Sequence, residues 1–159
     1  MEIERKFLIG GYPGGTPDAQ YEMEQGYLAT EPTVVRIRRE SCGAETAFVL
    51  CCKGKGTLAR EEIEMDLEKD TYQKLLKLLP VPPVRKQRRD YILSGGLRLE
   101  CNLVEPGAAD SFYYAEVEFP TVEAAEAFDP PAWLGKEVTG DPSFTMKRFW
   151  ERRCEKAKK

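Results

Sequence analysis

Glu2-Ile3-Glu4-Arg5-Lys6-Phe7 is the stretch on which the reading of the whole chain turns. Successive side chains of a strand point to opposite faces, so Glu2, Glu4 and Lys6 share one side while Ile3 and Phe7 take the other. Carboxylates one strand repeat apart can hold a hard divalent cation through oxygen, and the ammonium beside them can meet the anion that the cation brings. The pattern points to a metal and a phosphate. An exposed edge strand carrying mixed charge for solubility would be spelled the same way, so the rest of the chain has to decide.

The alternation recurs. Val34 to Glu40 sets Arg36, Arg38 and Glu40 against Val35 and Ile37, and Ala47 to Lys53 puts Val49, Cys51 and Lys53 on one side. Arg60 to Leu67 sets Arg60, Glu62, Glu64 and Asp66 against Ile63 and Met65, and Val84 to Leu93 carries Lys86, Arg88 and Asp90 on one face. Leu97 to Val104 opposes Arg98, Glu100 and Asn102 to Leu99 and Cys101, and Phe112 to Phe119 opposes Tyr114, Glu116 and Glu118 to Ala115 and Val117. Tyr21 to Leu28 adds a further strand in which Gln25 and Tyr27 share a face. Glycines at 43, 54, 56, 95 and 96 mark the turns between them.

Three helices are expected. Asp70 is placed to cap one running to about Leu79, with Tyr72, Leu75, Leu76 and Leu79 as its apolar stripe and Pro80 as its stop. Thr121 caps a short one reaching about Phe128, and Asp141-Pro142 opens a last one whose Met146, Phe149, Trp150 and Cys154 form an apolar face amid basic residues. That last pattern suits a docked terminal helix with a solvated back.

Composition narrows the chemistry. The chain has 159 residues, 42% of them apolar, which suits one domain spanning residues 1–159. With 24 basic and 27 acidic residues, the net charge of -3 argues against a duplex nucleic-acid partner. No apolar run is long enough to span a bilayer and the charged start is unlike a signal peptide, so a cytoplasmic location is expected, with no membrane partner. The five cysteines show no metal-ligand spacing and are read as reduced. There is no histidine at all, which removes Ser-His and Cys-His nucleophiles and His-ligated zinc; carboxylates, Lys, Arg and Tyr are left.

So many charged strand faces need a common home. A closed antiparallel barrel with its apolar faces outward, covered by helices, would gather them around a central tunnel. Such burial is tolerable only if acids and bases compensate each other and a polyanion with its cations fills the remainder.

These motifs resemble the CYTH family of triphosphate tunnel metalloenzymes, whose hallmark is an E-x-E-x-K strand near the N-terminus. Glu2-Ile3-Glu4-Arg5-Lys6 matches it, followed in family order by Gln25-Gly26-Tyr27-Leu28, Arg36-Ile37-Arg38, Lys53 before glycine, Arg60 with Glu62 and Glu64, Lys86-Gln87-Arg88, Glu116-Val117-Glu118 and Glu137-Val138-Thr139. The resemblance implies an α+β fold built on a closed eight-stranded antiparallel barrel. Glu2, Glu4, Glu116 and Glu118 would then bind Mg2+ or Mn2+, while Lys6, Arg36, Arg38, Lys53, Arg60 and Arg88 would hold a triphosphate. Tyr27 would pair with Lys6 near the reacting phosphoryl group. The family often has an acidic residue where Asn102 stands, so either one metal contact is lost or Glu100 or water replaces it; Phe144 stands at a frequent tyrosine and is read as packing. The implied activity is hydrolysis of inorganic triphosphate to pyrophosphate and phosphate. Thiamine or nucleoside triphosphate hydrolysis, adenylate cyclisation, and polyphosphate binding without turnover remain the alternatives.

Overall fold

The computed structural model describes residues 1–159. Nine strands form one antiparallel sheet: β1 (Glu2–Leu8), β2 (Ala19–Ala29), β3 (Val34–Cys42), β4 (Glu45–Lys53), β5 (Ala59–Arg60), β6 (Glu62–Asp66), β7 (Val84–Ile92), β8 (Arg98–Val104) and β9 (Phe112–Glu118). Their order is β5-β1-β9-β8-β7-β2-β3-β4-β6. The two ends of this row are consecutive in sequence, since β5 pairs with β1 through Glu2↔Arg60 while β6 pairs with β4 through Lys53↔Glu62. One segment thus changes partner at Glu61 and draws the row into a nearly closed barrel. The expected eight strands become nine because that segment, which alternates without a break in sequence, is divided where it swaps neighbours.

Register places the charged sets side by side on the inner face. Glu4 lies opposite Glu118 and Lys6 opposite Glu116, and Glu116 in turn lies opposite Glu100. Arg88 faces Asn102 across β7 and β8, and Arg36 faces Cys51 across β3 and β4. The outer face is the apolar one. Phe7, Leu99, Cys101, Ala115, Val117 and Phe119 pack with Ala125 of α2 (Val122–Ala127) and with Leu134. The Phe, Leu and Val side chains among them contribute roughly 1.5 to 3 kcal/mol each when fully buried. Helix α1 (Lys69–Leu76) buries Tyr72 against Phe48, with ring centres 5.0 Å apart.

Helix α3 (Met146–Ala157) departs from the expectation that the helices cover the exterior. Its Met146 and Trp150 pack on Tyr27, Val84, Val104 and Tyr114, which lie on the inward side of their strands. At this end of the barrel the inward positions change from charged to apolar, so the helix stoppers the tunnel. Gly26 lets the chain above it come close: a Cβ there would stand 2.5 Å from Leu79 Cδ1.

Two caps differ from expectation. Asp70 lies inside α1, whose cap position is Glu68, and pairs instead with Lys74 one turn on at 3.0 Å. Asp141 caps only the 3-10 turn Pro142–Phe144, and α3 itself starts at Thr145, whose hydroxyl accepts from Arg148 N at 3.1 Å. Thr121 caps α2 as expected, accepting from Ala124 N. All five cysteines are free, and no helix is long and apolar enough to cross a membrane.

Candidate active site

The barrel encloses a cavity of about 1060 Å3 whose lining includes Glu2, Glu4, Lys6, Tyr27, Arg36, Arg38, Lys53, Arg60, Arg88, Glu100, Glu116 and Glu118. Every residue put forward for the site from sequence therefore faces one space. Strand order gives the space two walls. β1, β9 and β8 are neighbours and bring Glu2, Glu4, Glu118, Glu116 and Glu100, while β3 lies four places round the ring from β9 and presents Arg36 and Arg38 to it.

On the basic wall the arginines and Lys53 rest on carboxylates of the protein. Arg36 Nη2 stands 3.9 Å from Glu62 and 3.8 Å from Glu64, Arg38 pairs with Glu40, and Arg88 pairs with Asp90 at 2.8 Å and Glu100 at 3.4 Å. Lys53 Nζ reaches Glu2 at 3.4 Å and Glu62 at 3.6 Å, and Arg60 Nε reaches Glu2 at 3.1 Å. Glu2 is thus held by two cations. Several buried polar atoms have no protein partner: Nε of Arg36 and of Arg38, Gln25 Oε1 and Asn102 Oδ1. Each such atom costs about 1 to 3 kcal/mol when nothing meets it, so the cavity is built for a polar occupant.

The acidic wall behaves differently. Burial pushes the Glu4 carboxyl well above the usual carboxylate range, reinforced by Glu116 and Glu2 nearby. Burial raises Glu116 as well, but its hydrogen bond from Glu4 and the ammoniums of Lys6, Lys86 and Lys53 outweigh that and hold it low. The two neighbouring carboxyls are thus pushed in opposite directions, Glu4 up and Glu116 down. This half-buried pair, with Glu118 opposite Glu4 in register, is an all-oxygen donor set that suits a hard divalent cation. Glu100 is pushed up to about 7, chiefly by burial, although Arg88 opposes this.

A second cluster brings ligand atoms of Cys51, Glu62 and Glu64 within 4.8 Å of one another. Its thiol donates to Glu62 at 3.1 Å and burial pushes it up to about 12, while Arg36 and Lys53 already occupy the carboxylates. That set suits a hard cation less well than the Glu4–Glu116 pair does.

The CYTH domain profile matches residues 1–138. The chain belongs to the CYTH family. An inorganic triphosphatase of Nitrosomonas europaea is 34% identical over 146 residues, covering 92% of this chain and 94% of that one. A second inorganic triphosphatase, from Acetivibrio thermocellus, is 28% identical over 147 residues, covering 90% and 88%. Among solved structures, the crystal structure of an inorganic triphosphatase superposes with a TM-score of 0.65 at 29% identity, covering 94% of this chain and 93% of its own.

Within this CYTH tunnel one expected contact is replaced. Lys6 and Tyr27 do not pair: Lys6 Nζ donates to Phe144 O at 2.6 Å and lies 4.1 Å from the centre of the Tyr114 ring. The reason is topological, since β1 neighbours β9 and not β2, so the nearest tyrosine is the one on β9. The Tyr27 hydroxyl accepts from Gln25 Nε2 at 3.2 Å instead. Phe144, read as packing, contributes its carbonyl. Asn102 is fully buried on the inner face, donates to Glu100 O at 3.4 Å and leaves its own oxygen unmet. Glu100, the residue offered to replace an acid there, is engaged by Arg88.

Lys86, Tyr114, Glu40, Glu62 and Glu64, which are not among the site residues expected from sequence, also line the cavity. The signal was present, because each shares inward parity with a residue that was chosen: Lys86 with Arg88, Tyr114 with Glu116, Glu40 with Arg38.

Proposed function

We propose that this chain is a divalent-cation-dependent triphosphatase that cleaves inorganic triphosphate to pyrophosphate and phosphate. The observation that carries the reading is the facing of two unlike walls across one tunnel: the carboxyls Glu4, Glu116 and Glu118 of β1 and β9, and the arginines of β3 opposite. The names of the curated relatives agree with it.

Glu4, Glu116 and Glu118 would hold Mg2+ or Mn2+, with Glu2 and Glu100 at the margin because Lys53, Arg60 and Arg88 already engage them. When bound, such a cation neutralises phosphate oxygens and lowers the pKa of the attacking water. Water adds to the terminal phosphorus while the bond from that phosphorus to the bridging oxygen breaks, pyrophosphate leaves with that oxygen and the electron pair, the water's proton passes to the released phosphates or solvent, and the chain's residues supply position and charge. Arg36, Arg38 and Arg88 bring planar guanidiniums that can engage phosphate oxygens in pairs, and they exchange protein carboxylates for phosphate as they do so. Lys53, Arg60 and Lys86 add charge along the chain of phosphates, and Lys6 supplies an ammonium beside the carboxyl pair. Tyr27 keeps Gln25 in place rather than acting on a proton with Lys6. Backbone pairing closes the barrel and apolar packing covers it, so the fold should stand without the cation.

A phosphate-release panel with tripolyphosphate, thiamine triphosphate and ATP, each in Mg2+ and Mn2+, tests the proposal, with cyclic AMP measured in parallel. Pyrophosphate and orthophosphate should appear from tripolyphosphate. Release should stop in chelator while circular dichroism stays unchanged. Tight tripolyphosphate binding with no release between about pH 6 and pH 10 would leave a polyphosphate-binding module, and cyclic AMP as main product would make the chain a cyclase.

A further inference from the structure

Of the cationic side chains that line the tunnel, every one except Lys6 and Lys86 stands within 4.0 Å of a carboxylate. These two meet at one residue. Lys6 Nζ lies over the Tyr114 ring at 4.1 Å from its centre, and Lys86 Nζ donates to the Tyr114 hydroxyl at 3.1 Å while standing 5.6 Å from the same centre. Tyr114 is 1% exposed and Lys86 5%.

A carboxylate in contact with an ammonium offsets part of the charge a phosphate has to feel. An aromatic face and a hydroxyl lone pair hold the two cations without placing an anion in contact with them, although Glu116 acts on both through space. Arg36 differs, because its Nη2 has Glu62 at 3.9 Å and Glu64 at 3.8 Å.

We propose that Tyr114 is a positioning residue, whose ring and hydroxyl hold Lys6 and Lys86 as a pair of ammoniums, neither in contact with a carboxylate, directed at one phosphoryl group of the substrate. The phosphoryl part of this inference rests on the triphosphatase reading; the hold on the lysines does not. Both ammoniums lie against one ring, Lys6 Nζ 4.1 Å and Lys86 Nζ 5.6 Å from its centre, and both residues line the tunnel. Lys6 uses one further proton on Phe144 O, which fixes its direction.

Tyr114→Phe removes the acceptor for Lys86 and keeps the ring under Lys6; Tyr114→Leu removes both. Two measurements separate the hold on the lysines from its effect on turnover. In the metal-free, substrate-free protein, reductive methylation read by mass spectrometry should show the Lys86 amine reacting several times faster in Tyr114→Phe with Lys6 unchanged, and both altered in Tyr114→Leu. In turnover of tripolyphosphate, Tyr114→Phe should raise KM about tenfold with kcat within about twofold, and Tyr114→Leu should lower kcat as well by about tenfold or more. If Tyr114→Leu fails to fold, Tyr114→Phe, which keeps the packing volume, decides alone. Wild-type labelling rates at both lysines in Tyr114→Phe, or a wild-type KM in a folded Tyr114→Phe, overturn the proposal. A wild-type protein that does not hydrolyse tripolyphosphate overturns the triphosphatase reading and leaves the labelling result to judge the hold on the lysines.

Discussion

Glu4→Gln isolates the cation site from the fold. Burial, with Glu116 beside it, pushes the Glu4 carboxyl up toward its neutral form, which an amide of the same shape mimics in donating toward Glu116. Metal-free stability should therefore change by less than about 1 kcal/mol. The response to metal should collapse. A cation at about a hundred times its Kd stabilises the wild type by about 2.7 kcal/mol, which for a domain of this size raises Tm by about 5 to 10 °C. If the missing carboxylate costs about a hundredfold in affinity, the same concentration gives about 0.4 kcal/mol and a rise of about 1 °C. The pH dependence has a definite sign. The folded pKa of Glu4 is raised, so its contribution to metal-free stability is present below the unfolded value and is lost as pH rises through the folded one. Because the cation replaces that proton, the wild-type Tm rise should grow as pH increases, and the part of it due to Glu4 should vanish in the variant. Thermal unfolding with and without Mn2+ across several pH values measures all of this. An undiminished metal-induced Tm rise in Glu4→Gln would refute the assignment of the cation to the Glu4–Glu116 pair.

Arg36→Ala and Arg38→Ala should each weaken tripolyphosphate binding at least about tenfold by calorimetry, because each removes a charged donor set from the wall opposite Glu116 and Glu118; wild-type affinity in both would argue against a basic wall. Arg5→Ala should lower stability by about 2 to 3 kcal/mol in denaturant unfolding, since the guanidinium binds Glu137 at 2.6 and 2.9 Å and also donates to Ala125 O and Phe128 O, pinning that segment on β1. Gly26→Ala should cost about 1 to 3 kcal/mol through its contact with Leu79, and Gly26→Ala combined with Leu79→Ala should recover part of that loss.

The barrel was legible because its strands obey a period of two that local sequence displays without tertiary help. Arg36 and Arg38, or Glu116 and Glu118, need only their own strand to be assigned a common face. What was not legible depends on neighbours. The break at Glu61 follows from a change of partner strand, which leaves no mark on the alternation of Arg60, Glu62 and Glu64. Helix starts were misread where two capping residues compete within a few positions: Asp141 suits the 3-10 turn, and Thr145 takes the helix. The stoppering of the tunnel by α3 was missed because Val84, Val104 and Tyr114 read as ordinary strand residues until they are seen at one end. The Lys6–Tyr27 expectation failed on strand order, a property of the whole sheet. The place of Lys86 on the inner face is legible from its parity with Arg88, but its contact with Tyr114 is not, because that depends on how β7 and β9 face each other across β8.

The junction of β1 with β5 rests on two aligned residue pairs, whereas every other ladder in the sheet aligns at least five. A hoop with one short weld behaves unlike a hoop of equal staves: thermal breathing concentrates at the weld, and the girth of the whole can change without unzipping any long ladder. The weld also carries the Arg60–Glu2 ion pair, so the side chains that meet an incoming polyanion are the same ones that fasten the hoop. Amide exchange should accordingly be fastest along this line of the wall, and slowest on the far side, where β7 is stitched to β2 and β8.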